Sequence, residues 1–218
     1  MAGIPSSNIA PDTVVFDFGG VLIDWNPRYL YAKLFPGDAA AMEDFLAQVV
    51  TQEWNERQDA GRACAQAVAE LISRCPDRAE LIEAYYARWE EMLGGAFDDT
   101  VALLDALRRR AVPLYGLTNW SREKFPVARE RFDFLDWFDG IVVSGEEGVA
   151  KPDPEIFHIL IERYALDSHK VLFIDDNPLN VEAAQSLGFQ VHHFHTAQAL
   201  QTALAGHGLI RLLAGSSV

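Results

Sequence analysis

The 218-residue sequence predicts an α/β protein: a Rossmann-like, mostly parallel sheet core with an inserted all-helical unit. Three observations carry that reading. Five short runs rich in β-branched and aromatic residues are each bounded by turn residues. Helix-period segments fill the intervals between the second run and the fifth, the alternation that gives parallel strands covered on both faces. Roughly 90 residues separate the first run from the second, most of them helical in pattern, whereas a crossover helix needs only ~10–15.

In chain order, the first strand is expected at Thr13 to Phe18 (TVVFDF), followed by the turn-forming pair Gly19-Gly20. The inserted unit is placed at residues 24–95, with helices at Ala39–Val50, Ala63–Arg74 and Arg78–Met92. Within it the polar segment Glu53 to Arg62 (EWNERQDAGR) reads as a loop that closes over the sheet edge. Residues 12–23 and 96–210 form the core. A helix at Thr100–Arg110 returns the chain to it, and strands at Val112–Thr118, Ile141–Ser144, Lys170–Ile174 and Phe189–Phe194 complete the sheet. Helices at about Ser121–Arg131, Pro154–Tyr164 and Leu179–Leu187 connect them. Pro154 and Pro178 stand at helix starts, where a missing N–H costs least.

Composition bounds the partners. Half of the residues (50%) are hydrophobic and 23% are charged, as in a soluble globular protein, and the formal net charge is −14. Nucleic acid and anionic membranes require basic patches, so neither is an expected partner. No apolar run approaches the ~18 residues of a membrane span. The opening Met1 to Asp12 lacks the basic and apolar regions of a secretory signal, and the tail Ala214 to Val218 reads as a frayed end. Two cysteines, Cys64 and Cys75, are too few for a disulfide scaffold and fit a reducing, cytoplasmic setting. The expected assembly is a monomer or a homodimer.

Ligands of open parallel sheets bind at the carboxyl ends of the strands. Those ends carry Asp17, Thr118-Asn119, Ser144 with Lys151 soon after, and Asp175-Asp176. An Asp that ends a buried strand is costly unless its charge is stabilised. Three carboxylates converging on one edge repel one another, and a divalent cation removes the conflict. Mg²⁺ suits a site of hard oxygen donors, with Asp17, Asp175 and Asp176 as ligand residues and the carbonyl of Gly19 as a further donor. Gly19 and Gly20 let a ligand approach the backbone. Pro152 pins the chain beside Lys151, which sets its ammonium near Asp17 or a phosphate. Thr118 and Asn119 offer a hydroxyl and an amide to phosphate oxygens. Trp25 and Trp120 follow the first and second clusters closely and are candidate pocket walls. Asn55 in the polar segment is a candidate substrate contact, and Arg28 a candidate partner for an anionic group. His193 and His195 share one strand face and His192 the other, too few ligands for a metal site.

Asp17-Phe-Gly-Gly-Val, Leu117-Thr118-Asn119, Lys151-Pro152 and Phe173-Ile174-Asp175-Asp176-Asn177 resemble, in order and spacing, the four motifs of the haloacid dehalogenase-like hydrolase superfamily. The resemblance covers residues 12 to 205. It is nearest to the phosphatase-like branch with a helical cap between the first two motifs, similar to the amino-terminal phosphatase domain of soluble epoxide hydrolase. It implies a hydrolase of small phosphorylated metabolites acting through an aspartyl-phosphate. In that reading Asp17 is the nucleophile, Thr118 and Lys151 hold the phosphate, Asp176 binds Mg²⁺ directly and Asp175 supports it one step removed. The superfamily also contains 2-haloacid dehalogenases, whose aspartate works without metal and whose fourth motif carries serines and an asparagine in place of Asp175-Asp176. The same motif set is compatible with a phosphotransferase and with a low-activity phosphate-binding protein.

One position departs from the family pattern. Phosphatases of this kind place a second aspartate two residues after the nucleophile, where it protonates the leaving group; here that residue is Gly19. A positioned acid–base is worth ~10²–10⁴-fold, so its loss predicts a steep dependence of rate on leaving-group pKa. Asp24, Asn55 and Asp59 are the candidate substitutes.

Overall fold

The computed structural model describes residues 10–211, so the expectations for Met1 to Ile9 and for the tail from Ala214 lie outside the described residues. The elements follow in chain order as β1 (Thr13–Phe16), β2 (Ile23–Trp25), α1 (Arg28–Leu34), α2 (Ala39–Gln48), α3 (Gln52–Asp59), α4 (Cys64–Arg74), α5 (Ala79–Ala87), β3 (Leu93–Ala96) and α6 (Asp98–Arg108). The second half contains β4 (Leu114–Thr118), α7 (Phe125–Arg131), β5 (Gly140–Val143), α8 (Ser144–Glu147), α9 (Pro154–Tyr164), β6 (Val171–Asp175), α10 (Pro178–Ser186), β7 (Gln190–His193) and α11 (Ala197–Gly206).

Five strands form one parallel sheet in the order β5-β4-β1-β6-β7. Strand alternation splits the core between its two faces. Val14 and Phe16 join one buried cluster with Leu172 and Ile174, while Val15 joins the other with Leu117 and Phe173. In register, Phe16 faces Gly116 on one side and Ile174 on the other, so Asp17 leaves the sheet level with Asp175. The chain order reverses across β1, which makes its carboxyl end a topological switch point.

The helical segment leaves and returns through a short antiparallel pair, β2 with β3, that sequence patterning does not predict. Three- and four-residue strands interrupted by Asp24 and by Gly94-Gly95 carry too little periodicity to be seen in a sequence. The pair takes in Asp24, Trp25 and Leu93 to Gly95, residues expected within the inserted unit. The expected helix at 78–92 is α5 flanked by two 3₁₀ turns, Pro76–Arg78 and Trp89–Met92. Ser121 to Lys124 is a turn, so the helix expected from Ser121 begins at Phe125.

The largest difference from expectation is α3, a helix where the polar composition predicts a loop. Thr51 caps it by accepting the Trp54 N–H at 3.1 Å, and Glu53 and Arg57 pair one turn apart at 2.7 Å. Gln, Glu and Arg are strong helix formers. The segment lacks an apolar stripe because one of its faces is turned to a polar cleft.

Candidate active site

The carboxyl ends of β1 and β6, with the loop that follows β5 and α8, bring four of the expected residues into a charged knot. Asp17 follows β1, is 8% exposed, and accepts the Phe18 N–H on Oδ1 at 2.7 Å. Lys151 Nζ lies 3.0 Å from that same Oδ1 and 2.7 Å from Asp175 Oδ2, with its side chain wholly buried. Among the described residues Asp17 Oδ2 has no partner. Asp175 is held from every side: Asn177 N–H donates to it at 2.8 Å and the Asn180 amide at 3.0 and 3.1 Å. Asp176, one residue on, is exposed, and a Cβ at Gly20 (φ +74) would collide with its carboxylate. The left-handed backbone favours glycine there, and its missing side chain leaves the Asp176 carboxylate its present position.

Electrostatics follow from this packing. Burial pushes the Asp17 carboxyl up to about 7; Lys151 opposes the rise while Asp175 and Asp176 add to it. Burial works against the Lys151 ammonium too, but Asp17 and Asp175 outweigh it and hold its pKa above the ordinary value. Asp176 is raised by burial and then by Asp175. Oxygens of Asp17, Asp175 and Asp176 lie within 4.8 Å of one another, an all-carboxylate donor set in which one lysine cannot balance three charges. Such a set fits a hard divalent cation.

Thr118 ends β4 fully buried, and its hydroxyl has no hydrogen-bond partner, which is costly unless a ligand supplies one. Asn119 is used differently from the expectation. Its Oδ1 accepts the Lys151 N–H and its Nδ2 donates to the Lys151 carbonyl, both at 2.8 Å, so its amide fixes the lysine's backbone and has little left for a substrate.

Above the knot lies a cleft of about 320 Å³ lined by Asp17, Gly19, Gly20, Trp25, Asn119, Trp120 and Asp176. The helical segment supplies its other wall through Gln52, Asn55, Glu56 and Asp59. These recur at i, i+3, i+4 and i+7, one stripe of α3. That polar periodicity is the sequence signal for this wall, since apolar patterning alone misses it. Tyr86, Trp89, Ser121, Asn177 and Asn180 also line the cleft, and sequence reasoning misses them. The buried indole N–H groups of Trp25 and Trp120 lack partners, as does Asn180 Oδ1. Asn55 is committed within the wall, donating to Asp59 Oδ2 at 2.8 Å and accepting from the Tyr86 hydroxyl at 3.2 Å.

Several candidates lie elsewhere. Asp24 accepts the Tyr29 hydroxyl at 2.5 Å on the β2–β3 pair and is not part of the cleft wall. Arg28 makes a two-pronged, exposed contact with Glu43, both bonds at 2.6 Å. The rings of His193 and His195 lie 4.1 Å apart, and His193 Nε2 is 2.9 Å from the Asp176 carbonyl. Among the described residues no helix is long and apolar enough to cross a membrane.

Known proteins share this architecture. A family model described as a haloacid dehalogenase-like hydrolase matches residues 11–188. D-ribitol-5-phosphate phosphatase of Bacteroides thetaiotaomicron is 26% identical, over 81% of this chain and 88% of its own length. Drimenol cyclase of Aspergillus calidoustus is 27% identical over 88% of this chain, which spans only 35% of that protein. Among solved structures, a HAD family enzyme of B. thetaiotaomicron in complex with magnesium and inorganic phosphate superposes with a TM-score of 0.61 at 23% identity, over 84% of this chain and 93% of that one. The match to the family model spans most of the chain and takes in all four motif positions: the protein belongs to the haloacid dehalogenase-like hydrolases.

Proposed function

We propose that the protein is a magnesium-dependent phosphomonoesterase of small phosphorylated metabolites, working through an aspartyl-phosphate at Asp17. The observation that carries this reading is the knot itself: three carboxylates within 4.8 Å of one another around a single buried lysine. Asp17, Asp176 and the Gly19 carbonyl would hold Mg²⁺, with Asp175 behind them, and the ion supplies neutralising charge for phosphoryl oxygens.

The chain's own groups divide the remaining work. Asp17, through the Oδ2 that no protein group occupies, attacks phosphorus while the bond to the leaving oxygen breaks. Lys151 and the unpartnered Thr118 hydroxyl hold the transferred oxygens. Asn119 keeps Lys151 in place through its backbone. Water then attacks the aspartyl-phosphate and frees Asp17. Residues 24–95 act as a cap whose α3 face closes the cleft. The phosphatase name of the Bacteroides relative supports the reaction class. A haloacid anion would meet three carboxylates in this site, which disfavours dehalogenation.

The cleft also limits what the phosphate is attached to. None of the described residues lining it is Lys, Arg or His, while Glu56 and Asp59 face it from α3. A leaving group with its own negative charge would find no counter-charge there, whereas a neutral polyol or sugar finds amides and aromatic faces.

The test is a screen of sugar, polyol and carboxylate-bearing phosphates and of 2-haloacids, with Mg²⁺ or with EDTA, beside Asp17→Asn. Orthophosphate release that requires Mg²⁺ and falls at least ~10³-fold in the variant is expected. Halide release that persists in EDTA overturns the reading, and so does phosphatase activity that survives the substitution.

A further inference from the structure

With glycine at position 19, the proton for the leaving group must come from elsewhere. A side chain added at Gly19 would meet nothing within 4 Å, so the place where the family carries its acid is open space in this chain. Of the three substitutes the sequence offers, Asp24 is bound to Tyr29 outside the cleft, and Asn55 is an amide that cannot act as an acid. Asp59 remains.

Asp59 is the last residue of α3 and lines the cleft together with Asp17 and Gly19. It is fixed in place. Its carboxyl accepts from the Asn55 amide at 2.8 Å and lies near the Ser121 backbone N–H, and Asn55 is itself held by Tyr86 at 3.2 Å. Its carbonyl accepts the Ser144 hydroxyl at 2.5 Å, which ties this end of α3 to the end of β5. The contact continues at Gly61, where a Cβ would press on Gly148 at 3.2 Å. Glu56, the other acid on this wall, is exposed and takes only the Gln52 amide at 3.3 Å.

We infer that Asp59 is the general acid and base of this enzyme, taking over from across the cleft the role that Gly19 cannot perform. The inference rests on phosphoryl transfer at Asp17. In the first half-reaction Asp17 Oδ2 bonds to phosphorus and the phosphorus–oxygen bond to the leaving group breaks. The electron pair stays on that oxygen, which takes the Asp59 proton and departs as an alcohol. In the second, water gives a proton back to the Asp59 carboxylate as its oxygen bonds to phosphorus. The bond to Asp17 breaks and orthophosphate leaves, with both aspartates restored. The surroundings of Asp59 suit an acid that must also serve as a base. Burial, and then the nearby Glu56, push its carboxyl up to about 7, where both protonation states are populated at neutral pH. Tyr85 and Tyr86 of α5 are the titratable groups that face it from the neighbouring helix.

The experiment is a leaving-group series, from acetyl phosphate through aryl phosphates to an alkyl phosphate, run on the wild type, Asp59→Asn and the Asp59→Asn/Gly19→Asp pair. Wild-type kcat/KM is expected to depend weakly on leaving-group pKa. Asp59→Asn should lose ~10²–10³-fold on the alkyl phosphate and less than ~10-fold on acetyl phosphate. The paired variant should recover the alkyl substrate, because a carboxyl at position 19 has room to act. An unchanged slope in Asp59→Asn overturns the inference while leaving Asp17 as nucleophile. Absence of turnover by the wild type on every phosphate sinks the underlying reading instead. Should Asp59→Asn fail to fold, the wild type decides alone: its slope must steepen as pH rises past 7, and a slope independent of pH overturns the inference.

Discussion

Asp17 and Asp59 are two partly or fully buried carboxyls, both pushed up to about 7 and both lining one cleft, yet their surroundings differ in kind. Asp17 sits at a sheet edge with a lysine 3.0 Å away and two more carboxylates beside it. Asp59 sits at a helix end with only dipoles as partners, an amide, a backbone N–H and a serine hydroxyl on its carbonyl. The first environment is short of positive charge and is completed by adding a cation. The second belongs to no such cluster of carboxylates among the described residues, and in the proposed reading it is completed by a proton. Similar displacement from the ordinary carboxylate range therefore marks two different jobs, and the neighbours, not the pKa, tell them apart.

That contrast is broken most visibly at Lys151. Replacing it with Ala leaves Asp17 and Asp175 buried without their counter-charge, which is expected to cost ~3–5 kcal/mol in urea unfolding without metal. Added Mg²⁺ should return part of that loss, because it neutralises the same carboxylates. A loss unaffected by Mg²⁺ would mean that the knot does not bind the ion.

A smaller effect separates the two carboxyls by pH. Both hold protons in the fold that the unfolded chain has released above about 4, so metal-free stability should fall as pH rises from about 4 to about 7 and level off beyond. Saturating Mg²⁺ should remove the part due to Asp17 and leave the part due to Asp59. Chemical unfolding at pH 5 and pH 8, with Mg²⁺ or EDTA, reads both; Asp59→Asn should flatten what Mg²⁺ leaves. The smallest effect concerns the outer acid: Glu56→Gln should raise kcat/KM for a carboxylate-bearing phosphate by ~2–10-fold and leave a neutral polyol phosphate within about twofold. Equal changes on both substrates would mean that Glu56 does not sense substrate charge.

Legibility in the sequence follows the same division. Lys151 is readable because Pro152 pins the chain beside it, and Asp17, Thr118 and Asp175 because each stands at the end of an apolar strand, where a polar group is conspicuous. The parallel sheet is readable for the same reason. The α3 wall is legible only as a helix: the spacing of Gln52, Asn55, Glu56 and Asp59 gives the stripe, but a polar stripe looks like any solvated surface, so its place over the cleft is hidden. In the sequence Asp59 is one of three candidates; Asn55 falls out because an amide carries no acidic proton, and the bond between Asp24 and Tyr29 separates the two aspartates. Asn119 shows the opposite failure: its position is visible, but its use on the Lys151 backbone depends on a contact between residues 32 apart. Tyr86 and Trp89 reach the cleft from the far end of the helical segment, and no local pattern announces them.

The hydrogen bond from Ser144 to the Asp59 carbonyl has a consequence for timing. Asp17, the proposed nucleophile, rides on the sheet and Asp59, the proposed proton carrier, on the helical segment. This bond is the tie that acts at Asp59 itself, beside others such as Glu123 to the Cys64 N–H and Lys124 to the Tyr86 carbonyl. If the segment swings away about β2 and β3, Asp17 keeps its lysine and its metal site but loses its source of protons. An open molecule would then hold a phosphoryl group on Asp17 without releasing it quickly to water. Closure would act as the clock of the second half-reaction, and the lifetime of the phosphorylated enzyme would report how long the gate stays open.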